Sequence, residues 1–477
     1  MLLHKVTARV WASPVEIEKL TRIENIIWEA VSIWLKGGKM KVAVIGGGAA
    51  GMSAGSRVRR LKPDWTVSVF EATEYVSHAP CGIPYVVEGL AGSSTDLMYY
   101  SPDVFVKKRG IDLHMNAEVV EAGDGYLRVR ENGTEKKYEW DKLLIAVGAS
   151  PKKLRVEGSD LDNVFTADLP PDADKIKSAA KNTESAVIIG AGYISVEMAE
   201  ALSKLNKKVT IIGHHEYPLP KFDKEIGNII KKEMDGKIDF RSTEETIALE
   251  GRDKIKKVIT NKGEYKADIV IVAIGVKPNV GLAEQLGCRI GETKAIWTDS
   301  QMQTSVENVY AAGDCAEVTH MLTKKKVWIP LAPAGNKTGY AAGINMCGGN
   351  LEFPGALGTQ MTKLYDLEIG RTGLTEKQAK KEGFEAISAF IEANTKIHYY
   401  SGSRKIFLKV VADKETKRLL GAQVAGYEMV TMRINTMAAA LQAEFTTKDL
   451  FFADLAYAPP FTPIWEPLIV SARVIKF

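Results

Sequence analysis

The chain contains 477 residues, of which 45% are hydrophobic and 26% are charged, and its formal net charge is +4. One hydrophobic core cannot organise so many residues, so several domains are expected. The small net charge argues against a nucleic-acid partner, and the lack of an apolar run of about 18 residues argues against a membrane-spanning helix. Four scattered cysteines are too few for a disulfide framework, which predicts a reducing cytoplasm. We predict no metal site.

Residues 1–39 form an N-terminal extension that lacks the pattern of a secretory signal. Residues 16–35 could form an amphipathic helix. Residues 36–39 can be encoded by a purine-rich stretch that resembles a ribosome-binding site, directly before Met40. The sequence therefore predicts that the natural start is Met40.

The first dinucleotide-binding fingerprint spans residues 41–51, where an apolar strand runs into glycines and then a helix. Gly46 makes the tight turn, Gly48 lets the backbone approach a pyrophosphate, and Gly51 packs the helix on the strand. Glu71 ends the next predicted strand, where its carboxylate can accept hydrogen bonds from ribose hydroxyls. The predicted contacts also include Ala49 and Ala50, at the start of the helix.

Cys81 follows in the loop Ser77-His-Ala-Pro-Cys81-Gly-Ile-Pro-Tyr85, with no second cysteine nearby. Gly82 is expected to leave the thiol sterically open. A redox reaction at Cys81 must then take its second sulfur from the substrate or stop at an oxidised single cysteine. An inert buried cysteine is the alternative, because most free thiols are buried and unreactive.

The second fingerprint spans residues 185–197 and has the same layout, with Ser195 in place of the third glycine. The strand that follows it ends at Gly213, where NADH-binding proteins often carry an acid that repels the 2′-phosphate of NADPH. The sequence therefore predicts use of both NADPH and NADH. His214 and His215 come next, either near that phosphate or in a solvated loop. The predicted dinucleotide contacts here are Gly190, Gly192, Tyr193, Ile194 and Gly213.

Three more apolar strands end at glycine, and they complete the predicted nucleotide-binding pattern. The first contains Ala146 and ends at Gly148, and the second ends at Gly275. The third ends at Gly313-Asp314, where the carboxylate can bind a ribityl hydroxyl of a flavin. Residues 330–336 then open a helix whose N-terminal dipole could stabilise negative charge on a reduced flavin ring.

From residue 353 onward the fingerprints stop. Alternating apolar runs within 368–370, 386–391, 405–411 and 420–425 predict an antiparallel sheet. Helices are predicted over 430–443 and 447–452.

The arrangement resembles the flavin-dependent pyridine nucleotide–disulfide oxidoreductases, and within them the single-cysteine group that includes coenzyme A-disulfide reductases. The resemblance rests on the two fingerprints, the Ser77–Tyr85 loop, Gly313-Asp314, and Tyr457-Ala-Pro-Pro-Phe461. It implies an α/β fold with two Rossmann-like domains, for FAD and NAD(P)H, and a C-terminal α+β dimerisation domain. The implied limits are 40–151 and 280–352 for the FAD domain, 152–279 for the NAD(P)H domain, and 353–477 for the dimerisation domain.

The resemblance also implies a homodimer in which the partner's C-terminal domain completes each active site. Tyr457 and Tyr399, or its neighbour Tyr400, would assist the departing thiolate, although Tyr399 and Tyr400 could equally be cross-strand packing residues. Ser53, Arg57 and Arg60 share a helix face that would bind coenzyme A, or a merely solvated basic face. Ser77 is the remaining substrate-binding candidate.

The function that the resemblance implies is NAD(P)H-dependent reduction of coenzyme A disulfide through FAD and a mixed disulfide of Cys81 with coenzyme A. We expect this exchange to need a depressed thiol pKa. Two alternatives use the same parts: an NAD(P)H oxidase or peroxidase that acts on oxygen species, and a persulfide or polysulfide reductase. A non-catalytic redox-sensing flavoprotein is a different class, and it would require neither Cys81 nor the tyrosines.

Overall fold

The computed structural model describes residues 40–477. The predicted N-terminal extension, its amphipathic helix and the predicted start at Met40 therefore concern residues that lie wholly or mostly outside the described part of the chain.

The first sheet is parallel and is built from strands distant in sequence, in the order β18-β7-β1-β2-β3. The sequence KVAVI gives β1 four buried residues out of five, as expected for a strand covered on both faces. Its strands are β1 (Lys41–Ile45), β2 (Thr66–Phe70), β3 (Asp112–His114), β7 (Lys142–Ile145) and β18 (Val309–Ala311). An antiparallel meander lies beside it: β4 (Ala117–Gly123), β5 (Tyr126–Glu131) and β6 (Thr134–Glu139).

The second sheet repeats this plan, in the order β12-β11-β10-β16-β9. All five residues of its central strand are buried. Its strands are β9 (Val164–Phe165), β10 (Ser185–Ile189), β11 (Lys208–Gly213), β12 (Asp239–Ser242) and β16 (Ile269–Val272). Its meander consists of β13 (Thr246–Gly251), β14 (Ile255–Thr260) and β15 (Glu264–Lys266). The short pair β8 (Ala149–Pro151) and β17 (Val276–Pro278) links the chain segments that enter and leave this unit.

The third sheet is antiparallel, in the order β21-β22-β25-β24-β23. The sequence prediction of an antiparallel sheet after residue 353 is therefore confirmed. Its strands are β21 (Gln360–Leu364), β22 (Leu367–Gly373), β23 (Ala386–Asn394), β24 (Lys405–Asp413) and β25 (Leu419–Gly426). A small pair, β19 (Val318–Thr319) and β20 (Lys326–Val327), precedes it.

Eleven α-helices connect and cover these sheets in the described part of the chain. They are α1 (Ala49–Leu61), α2 (Ile83–Glu88), α3 (Pro170–Ala180), α4 (Tyr193–Lys204), α5 (Lys224–Met234), α6 (Gly281–Gln285), α7 (Ala332–Met346), α8 (Glu376–Lys381), α9 (Val430–Gln442), α10 (Thr447–Phe451) and α11 (Pro467–Ile475). Within residues 40–477, no helix combines the length and the apolar composition needed to cross a membrane.

Helices α1 and α7 cross at close range over the first sheet. A Cβ at Gly339 would lie 2.2 Å from the backbone oxygen of Ala50, so only glycine permits this approach. The crossing brings α7, which begins near Gly313, onto the helix that follows the first glycine motif.

Polar contacts fasten the second sheet to the third. Gln423 donates to Asp223 Oδ2 at 2.7 Å and accepts from the Asp223 backbone N–H at 2.6 Å. Lys409, which is 4% exposed, lies within 3.4 Å of Asp223 and within 3.0 Å of Glu225 and Glu376. A buried lysine with three carboxylates keeps its charge compensated, so this junction is a fixed one.

Candidate active site

The first glycine motif forms a tight turn between β1 and α1. Gly46 has a φ of 102°, and a Cβ there would lie 2.2 Å from the carbonyl oxygen of Ala146. A Cβ at Gly48 would meet no atom of the described residues within 4 Å, which leaves open space at the helix N-terminus. Glu71 is 7% exposed, and its carboxylate accepts from the N–H of Gly47 at 2.8 Å. The turn, the open glycine and the acid are thus assembled as a dinucleotide site requires.

Asp314 follows β18 at the same edge of the sheet. Burial raises the pKa of its carboxyl group to about 6, and burial is the one cause of this shift among the described residues. Asp314 is half-buried, and a carboxylate that is partly removed from water without a compensating charge or donor is costly unless a ligand supplies a hydrogen bond. Asp314 therefore fits a flavin that offers ribityl hydroxyls. Gly313, beside it, has a φ of 77°.

The Cys81 loop is anchored to the first glycine motif. The N–H of Ser77 donates to the carbonyl of Gly47 at 2.8 Å, and Ser77 itself has a φ of 49°. Cys81 lies in the short helical turn Pro80–Gly82 and is exposed. Two of the other cysteines, Cys288 and Cys315, are buried, and Cys347 is half-buried. The structure thus places an accessible, unpaired thiol next to the predicted flavin site, and the inert buried alternative does not describe Cys81.

Gly82 has a packing role in addition to the one expected from the sequence. A Cβ at this position would lie 2.3 Å from a methyl group of Leu97, so the missing side chain makes room for Leu97 packing.

The thiol pKa is also different from the expectation of a depressed value. Burial of the sulfur raises the pKa of Cys81, and the negative charge of Glu197 raises it further. Cys81 is exposed to solvent, and the protein groups packed around it produce this burial effect. No cationic side chain among the described residues lowers it.

Glu197 is a site residue to which the sequence analysis assigned no role. It lies on α4, four residues after Tyr193, and burial is the main cause that raises the pKa of its carboxyl group. Thr362 of β21 donates to Glu197 Oε1 at 2.8 Å. Burial, followed by the charge of Glu197, also raises the pKa of Tyr85. The sequence shows a carboxylate one turn into the helix of the second fingerprint. It does not show the partner of this carboxylate, because Thr362 is 165 residues away.

The second glycine motif repeats the geometry of the first. Gly190 has a φ of 116°, and a Cβ at Gly192 would meet no atom within 4 Å in the described part of the chain. Gly213 is buried, with Ala191 beside it, and the following His214 and His215 are exposed. Tyr193 and Ile194 begin α4. Gly275 follows β16 with a φ of 98°, as Gly148 follows β7 with a φ of 65°.

The predicted coenzyme A-binding face on α1 is divided in the structure. The hydroxyl of Ser53 donates to the carbonyl of Asn336 at 3.0 Å and therefore helps to join α1 to α7. The Arg57 guanidinium lies over the ring of Tyr340, 4.7 Å from its centroid. Arg60 is exposed. Arg57 and Arg60 thus remain available to an anionic ligand at the outer part of this face.

The structure brings together the two predicted C-terminal tyrosines. Partial burial raises the pKa of Tyr457, and a side-chain hydrogen bond with Tyr399 adds to the effect. Both side chains are exposed, at 43% for Tyr457 and 64% for Tyr399. Neither tyrosine is among the groups that shift the pKa of Cys81 in the same chain.

Comparison with known proteins now identifies the family. Residues 40–339 match the family described as pyridine nucleotide-disulphide oxidoreductase. Residues 359–468 match the dimerisation domain of these oxidoreductases. The chain belongs to the pyridine nucleotide-disulphide oxidoreductase family. It is therefore an enzyme whose family uses FAD and NAD(P)H, and the predicted family and fold class are confirmed.

The relatives share most of their length with this chain. A Pyrococcus furiosus protein named NAD(P)H sulfur oxidoreductase (CoA-dependent) is 62% identical over 442 residues, or 92% of this chain and 100% of the relative. A coenzyme A disulfide reductase from Staphylococcus haemolyticus is 28% identical, covering 88% of this chain and 96% of the relative. The structure of an NAD-dependent persulfide reductase from A. fulgidus is 37% identical, with a TM-score of 0.89 and coverage of 91% and 82%.

Proposed function

We propose that the protein reduces sulfur–sulfur bonds in coenzyme A-linked substrates, with NAD(P)H as the electron donor and Cys81 as the reacting thiol. The observation that carries the proposal is the exposed, unpaired Cys81, which is joined to the first glycine motif through Ser77 and Gly47. With no second cysteine in the same loop, the other sulfur atom must belong to the substrate.

The exchange balances in atoms and electrons. The Cys81 thiolate attacks one sulfur of the substrate, a mixed disulfide forms, and the second sulfur leaves as a thiolate that takes up a proton. Two electrons from NAD(P)H then cleave the mixed disulfide, releasing the bound thiol and restoring Cys81. Bound FAD supplies the two-electron relay between the nicotinamide and the thiol. Coenzyme A disulfide yields two coenzyme A thiols, and a persulfide yields a thiol and hydrogen sulfide.

Two acceptors are consistent with this chemistry. The names of the Pyrococcus and A. fulgidus relatives favour sulfur and persulfide compounds. Coenzyme A disulfide, the acceptor predicted from the sequence, is the named substrate of a more distant relative. Since both acceptors present a sulfur–sulfur bond to one thiolate, we propose both as substrates, with a coenzyme A mixed disulfide as the resting state of Cys81. An oxidase activity on oxygen remains the second candidate function.

Coenzyme A recognition is assigned in this proposal to Arg57, Arg60, Ser53 and Ser77. Arg57 and Arg60 would pair with phosphate groups, which guanidinium groups bind through charge-assisted hydrogen bonds. Ser53 would act by fixing α1 against α7, given its hydrogen bond to Asn336. Ser77 would act through the loop that carries the thiol.

The Tyr457–Tyr399 pair is assigned to the departing thiolate of the partner subunit's site. Its exposure and the matched dimerisation domain support an arrangement in which two copies share each site. A mixture of inactive Cys81→Ser and Tyr457→Phe chains should regain close to half of the wild-type activity per heterodimer. Confirmed heterodimers without recovery would restrict Tyr457 to its own chain.

Mass spectrometry of protein purified without reductant tests the proposal directly. The expected result is an adduct on Cys81 with the mass of coenzyme A, absent in Cys81→Ser. The Ser variant should still accept electrons from NAD(P)H on its flavin but should reduce neither coenzyme A disulfide nor a coenzyme A persulfide. Normal turnover of either substrate by this variant overturns the assignment. An adduct of one oxygen atom on Cys81 favours the oxidase candidate.

A further inference from the structure

Tyr399 lies in the loop between β23 and β24, and hydrogen bonds within the loop close its neck. The N–H of Thr395 donates to the carbonyl of Arg404 at 2.8 Å, and the Thr395 hydroxyl accepts from the N–H of Arg404 at 2.9 Å. In the next layer, the Ser403 hydroxyl accepts from the N–H of Lys396 at 3.2 Å and donates to the carbonyl of Lys396 at 3.2 Å. The loop that carries Tyr399 therefore leaves the third sheet through a closed neck.

A carboxylate from another part of the third sheet holds this neck. Glu428 and Met429, which directly precede α9, form what we call the β25–α9 corner. Glu428 Oε1 accepts from the Thr395 hydroxyl, and Glu428 Oε2 lies 3.0 Å from Lys396 Nζ. Thr395 is fully buried, and the side chains of Lys396 and Glu428 are 16% and 25% exposed. Because this ion pair is largely removed from water, salt screens it less than it screens a surface pair.

The charge of Glu428 belongs to this arrangement. Burial opposes ionisation of its carboxyl group, but the hydrogen bonds from Thr395 and Lys396 outweigh burial and lower the pKa of Glu428. Removing one partner of such a pair leaves the other charge poorly compensated, so the neck should depend on both partners.

The β25–α9 corner also holds the segment that carries Tyr457, between α10 and α11. Met429 has a φ of 60°, and its carbonyl accepts from Arg433 Nη1 at 3.2 Å. Arg433 is fully buried, and its Nε donates to Glu466 Oε1 at 2.6 Å. Glu466 Oε2 accepts from the N–H of Leu468 at 2.5 Å, which fixes the point where the segment passes into α11. The segments that carry the two tyrosines are thus anchored at neighbouring residues of one corner.

We propose that Glu428 is a positioning residue that aligns Tyr399 with Tyr457 through the β25–α9 corner. The inference rests on the proposed function, because it takes the tyrosine pair as the group that assists the departing thiolate in the partner subunit's site. Two exposed side chains on separate segments keep one relative position when both segments are fixed to a common support. Loss of the Lys396–Glu428 pair should therefore misplace Tyr399 and leave electron transfer from NAD(P)H to the flavin intact.

The first test uses Glu428→Gln, which retains an acceptor for the Thr395 hydroxyl and removes the charge that pairs with Lys396. With NADPH and coenzyme A disulfide, kcat should fall about fivefold, whereas the KM for NADPH and the rate of flavin reduction should change less than about twofold. Lys396→Met should cause the same loss, and the double variant should lose no more, because both substitutions remove one interaction. A wild-type kcat in Glu428→Gln, or additive losses in the double variant, overturns the proposal.

Glu392→Gln is the matched control. It removes the ion pair of Glu392 with Lys405, at 2.7 Å between the same two strands, whose side chains are 52% and 55% exposed. Its kcat should match the wild type. A loss equal to that of Glu428→Gln would mean that any ion pair of this hairpin has the same effect, and it would also overturn the proposal.

The second test uses mixed dimers, which show in which chain Glu428 acts. In a dimer of Glu428→Gln with Cys81→Ser, the site with the intact thiol takes its tyrosines from the Cys81→Ser chain, so activity should reach about half of the wild-type value. In a dimer of Glu428→Gln with Tyr457→Phe, the site with both tyrosines takes them from the Glu428→Gln chain, so activity should stay at about one tenth. Equal activities, or the reverse order, overturn the proposal.

The mixture of Cys81→Ser with Tyr457→Phe separates failure of this inference from failure of the proposed function. If this mixture regains activity while the two Glu428→Gln mixtures show the reverse order, only the role of Glu428 is wrong. If confirmed dimers of Cys81→Ser with Tyr457→Phe regain no activity, the shared site is wrong, and the role of Glu428 is overturned with it.

Discussion

The two nucleotide-binding units share one plan but differ where each second strand ends. In the first unit, the buried carboxylate of Glu71 accepts hydrogen bonds from the N–H of Gly47 and from the N–H and the hydroxyl of Thr73. In the second unit, Gly213 takes this place, and Ala191 packs beside it. In the first unit the acid therefore stabilises the turn and is also available to a ligand. At the matching position of the second unit, Gly213 has no side chain that could accept from a ribose or repel a 2′-phosphate.

Replacing the acid of the first unit should have the largest effect. Glu71→Ala removes three hydrogen bonds, at 2.7–2.8 Å, that fix the glycine turn and the following loop. We expect FAD content, measured as the ratio of flavin to protein absorbance, to fall by roughly tenfold or more, because a charge-assisted hydrogen bond contributes about 1.5–3 kcal/mol. The exposed Glu74→Ala is the control. Full flavin content in Glu71→Ala would contradict a structural role for this acid.

Adding an acid to the second unit should shift its nucleotide preference. Gly213→Glu would place a negative charge where the 2′-phosphate of NADPH is expected, so the ratio of kcat/KM for NADPH over NADH should fall about tenfold, or about 1.4 kcal/mol. A Cβ at this position would lie 2.9 Å from Ala191 Cβ, so Gly213→Ala is needed to measure the steric part. An equal ratio of kcat/KM for NADPH over NADH in Gly213→Glu and Gly213→Ala would mean that other residues discriminate the 2′-phosphate.

Asp314, which follows β18 in the first unit, gives this unit a pH dependence of its stability. Burial raises the pKa of Asp314 to about 6 in the folded protein, so the folded state binds more protons than the unfolded state between about pH 4 and 6. Flavin-free wild type should therefore lose up to about 2–3 kcal/mol relative to Asp314→Asn as the pH rises through this range. Thermal unfolding of the flavin-free wild type and of Asp314→Asn over this pH range measures the difference in stability. An equal pH dependence in the two proteins would be evidence against the raised pKa of Asp314.

The smallest effect is expected at the third position of the second glycine motif, where Ser195 stands in place of glycine. Ser195 is fully buried and its hydroxyl has no hydrogen-bond partner among residues 40–477, whereas a Cβ at Gly51 would lie 1.9 Å from the carbonyl of Gly46. Ser195→Ala should raise the stability of the second unit by about 1 kcal/mol, because it removes an unsatisfied polar group. Gly51→Ala should destabilise the first unit. Resistance to proteolysis measures the change in stability of each variant. Destabilisation by Ser195→Ala would mean that the Ser195 hydroxyl has a hydrogen-bond partner in the enzyme.

The sequence alone identified both glycine motifs, the five segments that end at glycine or acid, and the unpaired Cys81. These features are local, because a strand, a tight turn and a helix follow one another within a few residues and leave a readable spacing. The antiparallel region was predictable for the same reason, since alternation repeats every two residues along each strand. The packing role of Gly82 could not be predicted, because its neighbour Leu97 is brought close only by the tertiary structure.

Tertiary structure decided what surrounds the thiol. Glu197 is visible in the sequence of its helix, but its hydrogen bond with Thr362 depends on the packing of α4 against β21. The raised pKa of Cys81 follows from burial and from that carboxylate, and neither can be deduced from the loop sequence. Sequence fixes which chemical groups are present, whereas burial and charge act through space and are set only when distant segments pack together.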